Sequence, residues 1–332
     1  MIRAILERAV AGPVRMTMVW VSAAIVIPVL ATAALASSAQ SQPAEKGMQV
    51  ACAQIEVQPE LEANARLIVG VLMEEAKRGT RLVAFPECSL TTYEPKIVAT
   101  LTQARIDAAL DDIAAACRRL NICAVVGSAY TREGKWYNGA FVVAPTGRII
   151  KRYTKLHDVK DFFSDGNELV IFRVDGVPMT LMICHDERYP EIFRIPVLAG
   201  AKVGIYISAE SKTEKKWDNY RCQIVARAVE NQIAVIHCNA GDGGVDGGSH
   251  GHSRIIDQGG AVLAEADGKV GTVIRATIHP RHSGNDYAKR GAGTPSLRAF
   301  WAEGLRVLRE QNPEYFAEPA DSCVGPASTR SE

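Results

Sequence analysis

An α/β fold of mixed β-sheets with helices outside is what this sequence predicts, and three observations carry the prediction. Apolar runs of strand length alternate with segments of helical period at both ends of the body. Two strand pairs in the middle flank short turn sequences. Three chemistry-bearing segments each stand where an apolar run stops: Phe85-Pro86-Glu87, YTKLH around Lys155, and ICHDERYPE around Cys184.

The elements follow in order. Met48–Ile55 reads as a strand, and Leu61–Arg78 as a helix with Ala65, Ile68, Val69, Leu72 and Ala76 at helical spacing, stopped by Gly79. Arg81–Phe85 is a short buried strand that ends at Pro86-Glu87, and a loop runs through Tyr93-Glu94-Pro95. Residues 102–120 form the clearest helix, with Ile106, Ala109, Leu110, Ile113, Cys117 and Leu120 on one face. Asn121–Tyr130 is a strand, and Tyr137–Ala144 and Arg148–Tyr153 pair around Pro145-Thr146-Gly147.

A second round is similar in layout, not in sequence. Leu169–Val174 and Pro178–Ile183 flank Asp175-Gly176, and Cys184 follows directly. Tyr189–Ala199 is helical, Lys202–Ile207 a strand, Trp217–Gln232 a helix, and Ile233–Cys238 a strand. His252–Ile256, Ala261–Glu265 and Lys269–Ile278 are strands that close a body over 48–290. Residues 240–252 hold six glycines and read as a mobile loop near the site. A C-terminal extension, 291–332, carries one amphipathic stretch, Leu297–Arg309.

The first 39 residues have the order of an export signal: Arg3, Arg8 and Arg15, an uncharged stretch from Thr17 to Leu35, then small residues. A signal peptide would place the protein in the periplasm or outside the cell. Left uncut, the same stretch is long enough for a membrane anchor. A true start at Met48 would instead make the protein cytoplasmic. The eight cysteines are scattered among apolar segments without a CxxC, in a cytosolic style that runs against the leader.

The formal net charge is +1, and the leader carries a net +2 from three Arg and one Glu, so the body is close to neutral. No basic field exists for a phosphate backbone, and no nucleic-acid partner is expected.

The chemistry lies in three residues. Cys184 ends the strand MTLMI and precedes charged residues and then a helix, which is the form of a nucleophile elbow. Backbone N–H groups there can stabilise an oxyanion. Glu87 is delivered by Pro86 at a rigid strand end, and such a carboxylate can take a thiol proton and return it to a leaving amine. Lys155 lies past the strand IIKRY, where a fixed ammonium can stabilise negative charge. A Cys-His pair through His157 or His185 is a rival reading, but His185 is adjacent to Cys184 and adjacent side chains diverge. A metal site at His185, Asp186, His250 and His252 is another, without HExxH-type spacing behind it.

Five segments make the chain resemble the carbon–nitrogen hydrolase family, the nitrilase superfamily. They are LVAFPECSLTTY, YNGAFVVAPTGRIIKRYTKLH, LMICHDERYPEIFR, ARAVENQIAVIHCNAG and GHSRIIDQGGAVLAEA. The resemblance covers roughly Met48 to Ile278, in the family's order. It implies a four-layer α-β-β-α sandwich, a homodimer or larger homo-oligomer, and a triad. Carried over by position, Glu87 is the general base and acid, Lys155 the stabilising cation and Cys184 the nucleophile. It implies no cofactor. The expected reaction is hydrolysis of a small-molecule amide or N-carbamoyl amide, with nitrile hydrolysis as the alternative and a binding module on an inactive scaffold as the non-enzymatic one.

One departure stands in KLHDVKDFFSDGN, where the family commonly has a second glutamate. Asp161 precedes Phe162-Phe163 there, at a spacing about two residues short, and is expected to fill that role within reach of Lys155. Asp158 is the next acid to examine, with Glu168 behind it. Tyr93 and His185 are the other expected supporting residues.

Overall fold

The computed structural model describes residues 47–210, 214–243, 248–280 and 287–317. The leader lies outside the described residues. Two six-stranded sheets form the centre. The first has the order β12-β1-β2-β3-β4-β5, from β1 (Met48–Gln54), β2 (Leu82–Ala84), β3 (Cys123–Arg132), β4 (Lys135–Val143), β5 (Ile149–Thr154) and β12 (Thr272–Ile278). The second has the order β11-β10-β9-β8-β7-β6, from β6 (Phe172–Val174), β7 (Val177–Ile183), β8 (Val203–Ser208), β9 (Ala234–Asn239), β10 (Arg254–Ile256) and β11 (Val262–Glu265).

The two sheets repeat one plan. Each has three parallel strands, β1-β2-β3 and β7-β8-β9, with one antiparallel strand on one side and two on the other. The layout similarity of the two halves is therefore a topological repeat.

Period-2 alternation builds the layers. Val50, Cys52, Leu82, Ala84, Cys123 and Val125 point between the sheets, where they meet Leu181, Ile183, Ile205, Ile207, Ile236 and Cys238. Their neighbours Ala51, Ala53, Val83, Phe85, Ala124 and Val126 point outward onto α1 (Leu61–Lys77) and α3 (Gln103–Leu120). The second sheet's outer face carries Met182, Tyr206, Val235 and Ile256. It is covered by α4 (Glu191–Leu198), α5 (Glu214–Asn231) and residues of the C-terminal region. The result is the four-layer α-β-β-α sandwich.

The helix ends follow their sequences. Thr102 caps α3 through its side chain, which accepts from the Arg105 amide, and Asn121 ends it in the left-handed conformation.

Three details differ from the sequence reading. The stretch after Tyr93 holds a one-turn helix, α2 (Pro95–Val98), begun by Pro95 and capped by Glu94. The strand expected from Leu169 begins only at Phe172, because Leu169 and Ile171 spend their amides on Gln311 and Asn312 side chains. Two short helices, α6 (Tyr287–Gly293) and α8 (Pro313–Ala317), flank α7 (Arg298–Gln311). Leu308 of α7 is fully buried in the outer core of the second sheet, so this part of the C-terminal region packs on the body.

Candidate active site

Glu87, Lys155 and Cys184 each follow the C-terminal end of a strand, after β2, β5 and β7. A polar residue is exposed to chemistry there without breaking a ladder.

Glu87 is held by a close approach of backbones. A Cβ on Gly127 would lie 2.2 Å from the Pro86 carbonyl oxygen and 2.8 Å from the Glu87 Cα, so only glycine lets β3 pass this segment. The carboxylate is fully enclosed and has three donors. Oε1 accepts from Lys155 Nζ at 2.8 Å and from Asn138 Nδ2 at 2.7 Å, and Oε2 accepts from the Ala209 amide at 2.9 Å.

Lys155 is pinned by its backbone. Its amide donates to the Asn138 carbonyl at 2.9 Å and its carbonyl accepts from Gly166 at 2.7 Å. A side chain at Gly166 would strike the Thr154 carbonyl at 2.5 Å. The ammonium is completely buried and 3.6 Å from Asp158 Oδ2. Burial opposes its charge, but Glu87 first, then Cys184, Tyr93 and Asp158 outweigh it and hold its pKa well above the ordinary value.

Cys184 sits at φ 47°, a left-handed conformation rarely adopted by a non-glycine residue, at the junction of β7 and a 3₁₀ turn over 184–188. This is the strained elbow expected of a strand-end nucleophile. Burial chiefly, then Glu87, pushes the thiol well above its ordinary range, and Lys155 offsets only part of that. These surroundings favour the neutral thiol.

Asp186 joins two of these segments. It accepts from the Tyr153 hydroxyl at 2.7 Å, the His157 amide at 3.0 Å, the Ile183 amide at 3.2 Å and the Leu156 amide at 3.4 Å. The residues around Lys155 and those around Cys184 thus share one carboxylate.

Tyr93 lies beside Lys155 and Asp158. Its ring lies 5.2 Å from Lys155 Nζ and stacks on Phe163, and its hydroxyl donates to Asp158 Oδ1 at 2.9 Å. The expectation for Asp161 is corrected: it is exposed on the surface, and Asp158 meets Lys155 instead. Physically, the chain turns immediately after Lys155, and Asp158 also accepts from Asn138 Nδ2 at 3.1 Å, so the nearer acid fills the space. Glu168 is exposed as well.

His185 packs edge-on to Tyr189, and His157 stacks on the same ring with centroids 3.7 Å apart. His250 pairs with Glu210 at 2.5 Å. Among the described residues no group of three or more His, Cys, Asp or Glu side chains is arranged to hold a metal ion.

Asn138, Glu210 and the joining role of Asp186 were missed by sequence reasoning. Asn138 had a signal, a lone amide inside the strand KWYNGAFVV. Glu210 had none, since it follows an ordinary buried strand.

A mixed sandwich here places a carboxylate, an ammonium and an elbow cysteine at its strand ends. Residues 49–284 match the carbon-nitrogen hydrolase family, and the chain belongs to it. It is a hydrolase of the nitrilase superfamily, whose members act on amide and nitrile carbon–nitrogen bonds.

Among curated proteins it is 32% identical over 217 residues to the 2-oxoglutaramate amidase of Bacillus subtilis, covering 64% of this chain and 83% of that protein. It is 26% identical over 246 residues to an omega-amidase of Bos taurus, covering 69% and 88%. Among solved structures, an amidase from Nesterenkonia AN1, of the nitrilase superfamily, superposes with a TM-score of 0.68 at 20% identity, covering 78% of this chain and 98% of that one. A branch 10 nitrilase-superfamily member from Saccharomyces cerevisiae superposes with a TM-score of 0.64 at 21% identity, covering 76% and 95%.

Proposed function

We propose that the protein hydrolyses a small-molecule amide, N-carbamoyl amides included, through a Cys184 acyl-enzyme. The observation that carries this reading is the buried Glu87–Lys155 pair, 2.8 Å apart, whose charges both act on the elbow thiol. Relatives named as amidases support the amide class.

As the Cys184 sulfur forms a bond to the carbonyl carbon, its proton passes to Glu87. Lys155 and the N–H groups after Cys184 stabilise the oxyanion. Collapse of the tetrahedral species breaks the C–N bond, and Glu87 gives its proton to the departing nitrogen. Water then attacks the thioester. Glu87 takes a proton from that water, the carboxylic acid leaves, and the proton returns to sulfur. A nitrile would use the same three residues through a thioimidate.

Ammonia release across small amides, N-carbamoyl amino acids and nitriles tests the reading. Amides are expected to be turned over fastest. Turnover of nitriles alone would replace it with a nitrilase, and turnover of none would leave a binding scaffold.

Two wider readings are also proposals. Arg3, Arg8, Arg15 and the uncharged run to Leu35 support export or anchoring, tested by sequencing the native N-terminus. A homo-oligomer rests on the family habit and is tested by analytical ultracentrifugation.

A further inference from the structure

Behind the elbow lies a second polar cluster that the proposed cycle does not use. Glu187 and Glu210 are both buried, and both address one hydroxyl, that of Tyr206 on β8. Tyr206 Oη is 2.5 Å from Glu210 Oε1, 3.2 Å from Glu187 Oε2 and 3.1 Å from the Cys184 carbonyl oxygen. One hydroxyl proton cannot serve three acceptors. Two buried carboxylates sharing a hydroxyl hold one extra proton between them.

The surroundings say which one takes it. Glu210 Oε2 faces His250 Nε2 at 2.5 Å, and its Oε1 is 3.6 Å from His237 Nε2. Its backbone amide donates to Asn239 Oδ1, and its carbonyl accepts from Ser249. Burial opposes ionisation of Glu210, but the two histidines prevail and hold it well below the usual carboxylate range. Burial first, then Glu210, pushes Glu187 up to about 9. The opposite directions of the two shifts favour the charge on Glu210 and the proton on Glu187.

We propose that Glu210 is a positioning residue for the nucleophile. Anchored by His250 of the glycine-rich segment, it fixes Tyr206 against the Cys184 carbonyl and sets a negative charge near the sulfur. The inference rests on the reading of Cys184 as nucleophile.

The charged and titratable groups acting on Cys184 are Glu87, Lys155, Glu187 and Glu210, with Tyr93, Tyr206 and Tyr220 around it. Those acting on Glu210 are His237, His250, Glu187, Tyr206 and Arg254. Of the anions around the sulfur, Glu210 is the one tied to the glycine-rich segment, through His250. Its charge also adds to that of Glu87 in resisting thiolate formation before substrate arrives.

The test measures iodoacetamide alkylation of Cys184 against pH in a Cys222→Ser, Cys323→Ser background, so that the exposed Cys222 and the C-terminal Cys323 do not add to the labelling. Glu210→Gln should move the alkylation midpoint down by about one unit, giving about tenfold faster labelling at neutral pH. It should also lower kcat with little change in KM. Glu210→Asp should move the midpoint back. A folded Glu210→Gln protein with the wild-type midpoint overturns the inference. Should that variant fail to fold, Tyr206→Phe decides, because it keeps both carboxylates and removes only the clamp. About tenfold lower kcat at unchanged KM is expected, and wild-type kcat refutes the clamp. Cys184→Ala, assayed in parallel, separates the two readings: full turnover there defeats the nucleophile itself, whatever Glu210 does.

Discussion

The Tyr153 hydroxyl donates to Asp186 across 2.7 Å, and this bond ties the last strand of one sheet to the elbow that ends a strand of the other. Lys155 is two residues past Tyr153 and Cys184 two before Asp186. A short path through one buried carboxylate thus links the segment of Lys155 to that of Cys184. Burial pushes Asp186 up to about 7, while Tyr153 first, then Lys155 and the backbone donors, work against that shift.

That bond predicts the effect of Tyr153→Phe. Losing one buried donor to a carboxylate costs about 1–3 kcal/mol. The melting temperature should fall by several degrees, and kcat should fall more than KM rises. Thermal denaturation and steady-state kinetics on the same preparation check both. An unchanged kcat would mean that the sheets hold the site without this bond.

Cys184→Ala should abolish turnover, whereas Cys117→Ala and Cys238→Ala should retain it. Cys117 belongs to the core under α3, and the Cys238 thiol donates to the Ala84 carbonyl at 3.1 Å between the sheets. Their cost should appear in stability. Activity assays with parallel melts distinguish the two.

The pH dependence of alkylation follows from the raised thiol. A thiol whose folded pKa is raised is ionised over a narrower range of pH, so labelling of Cys184 should keep rising beyond the ordinary cysteine range of about 8.5. Lys155→Met removes the cation that favours the thiolate and should push the profile higher still. A lower midpoint in that variant contradicts the assigned electrostatics.

Glu87→Gln keeps the shape and removes the proposed base, so acylation and deacylation should both slow. Lys155→Met removes a charge aimed at the oxyanion, and losing one such donor costs roughly 10²–10³ in rate. Single-turnover kinetics on a good amide measures each. A wild-type rate constant in either variant removes that residue from the mechanism.

Asp158→Asn should lower kcat/KM about 10- to 100-fold, because Tyr93, Asn138 and Lys155 all converge on its carboxylate. Asp161→Ala should remain within about twofold of wild type, as expected for an exposed side chain. The reverse order would restore the positional expectation that the structure corrects.

The sequence by itself determined mixed sheets with helices outside and the three residues proposed for catalysis, while the four layers were an implication of the family resemblance. Period-2 and period-3.6 patterns are local and survive in the text of the chain, as Val50-Ala51-Cys52-Ala53 and the Ile106–Cys117 face do. Glu87, Lys155 and Cys184 were legible because each interrupts an apolar run at a strand end. Their partners were not. Asp161 looked right by its neighbours, yet the turn after Lys155 sends it to solvent and brings in Asp158. Glu210 carries no local signal in the sequence, yet it stands buried against His250 from forty residues away. Which acids are enclosed depends on how two sheets and their loops close on one another. That is a property of long-range packing, and only the tertiary structure decided it.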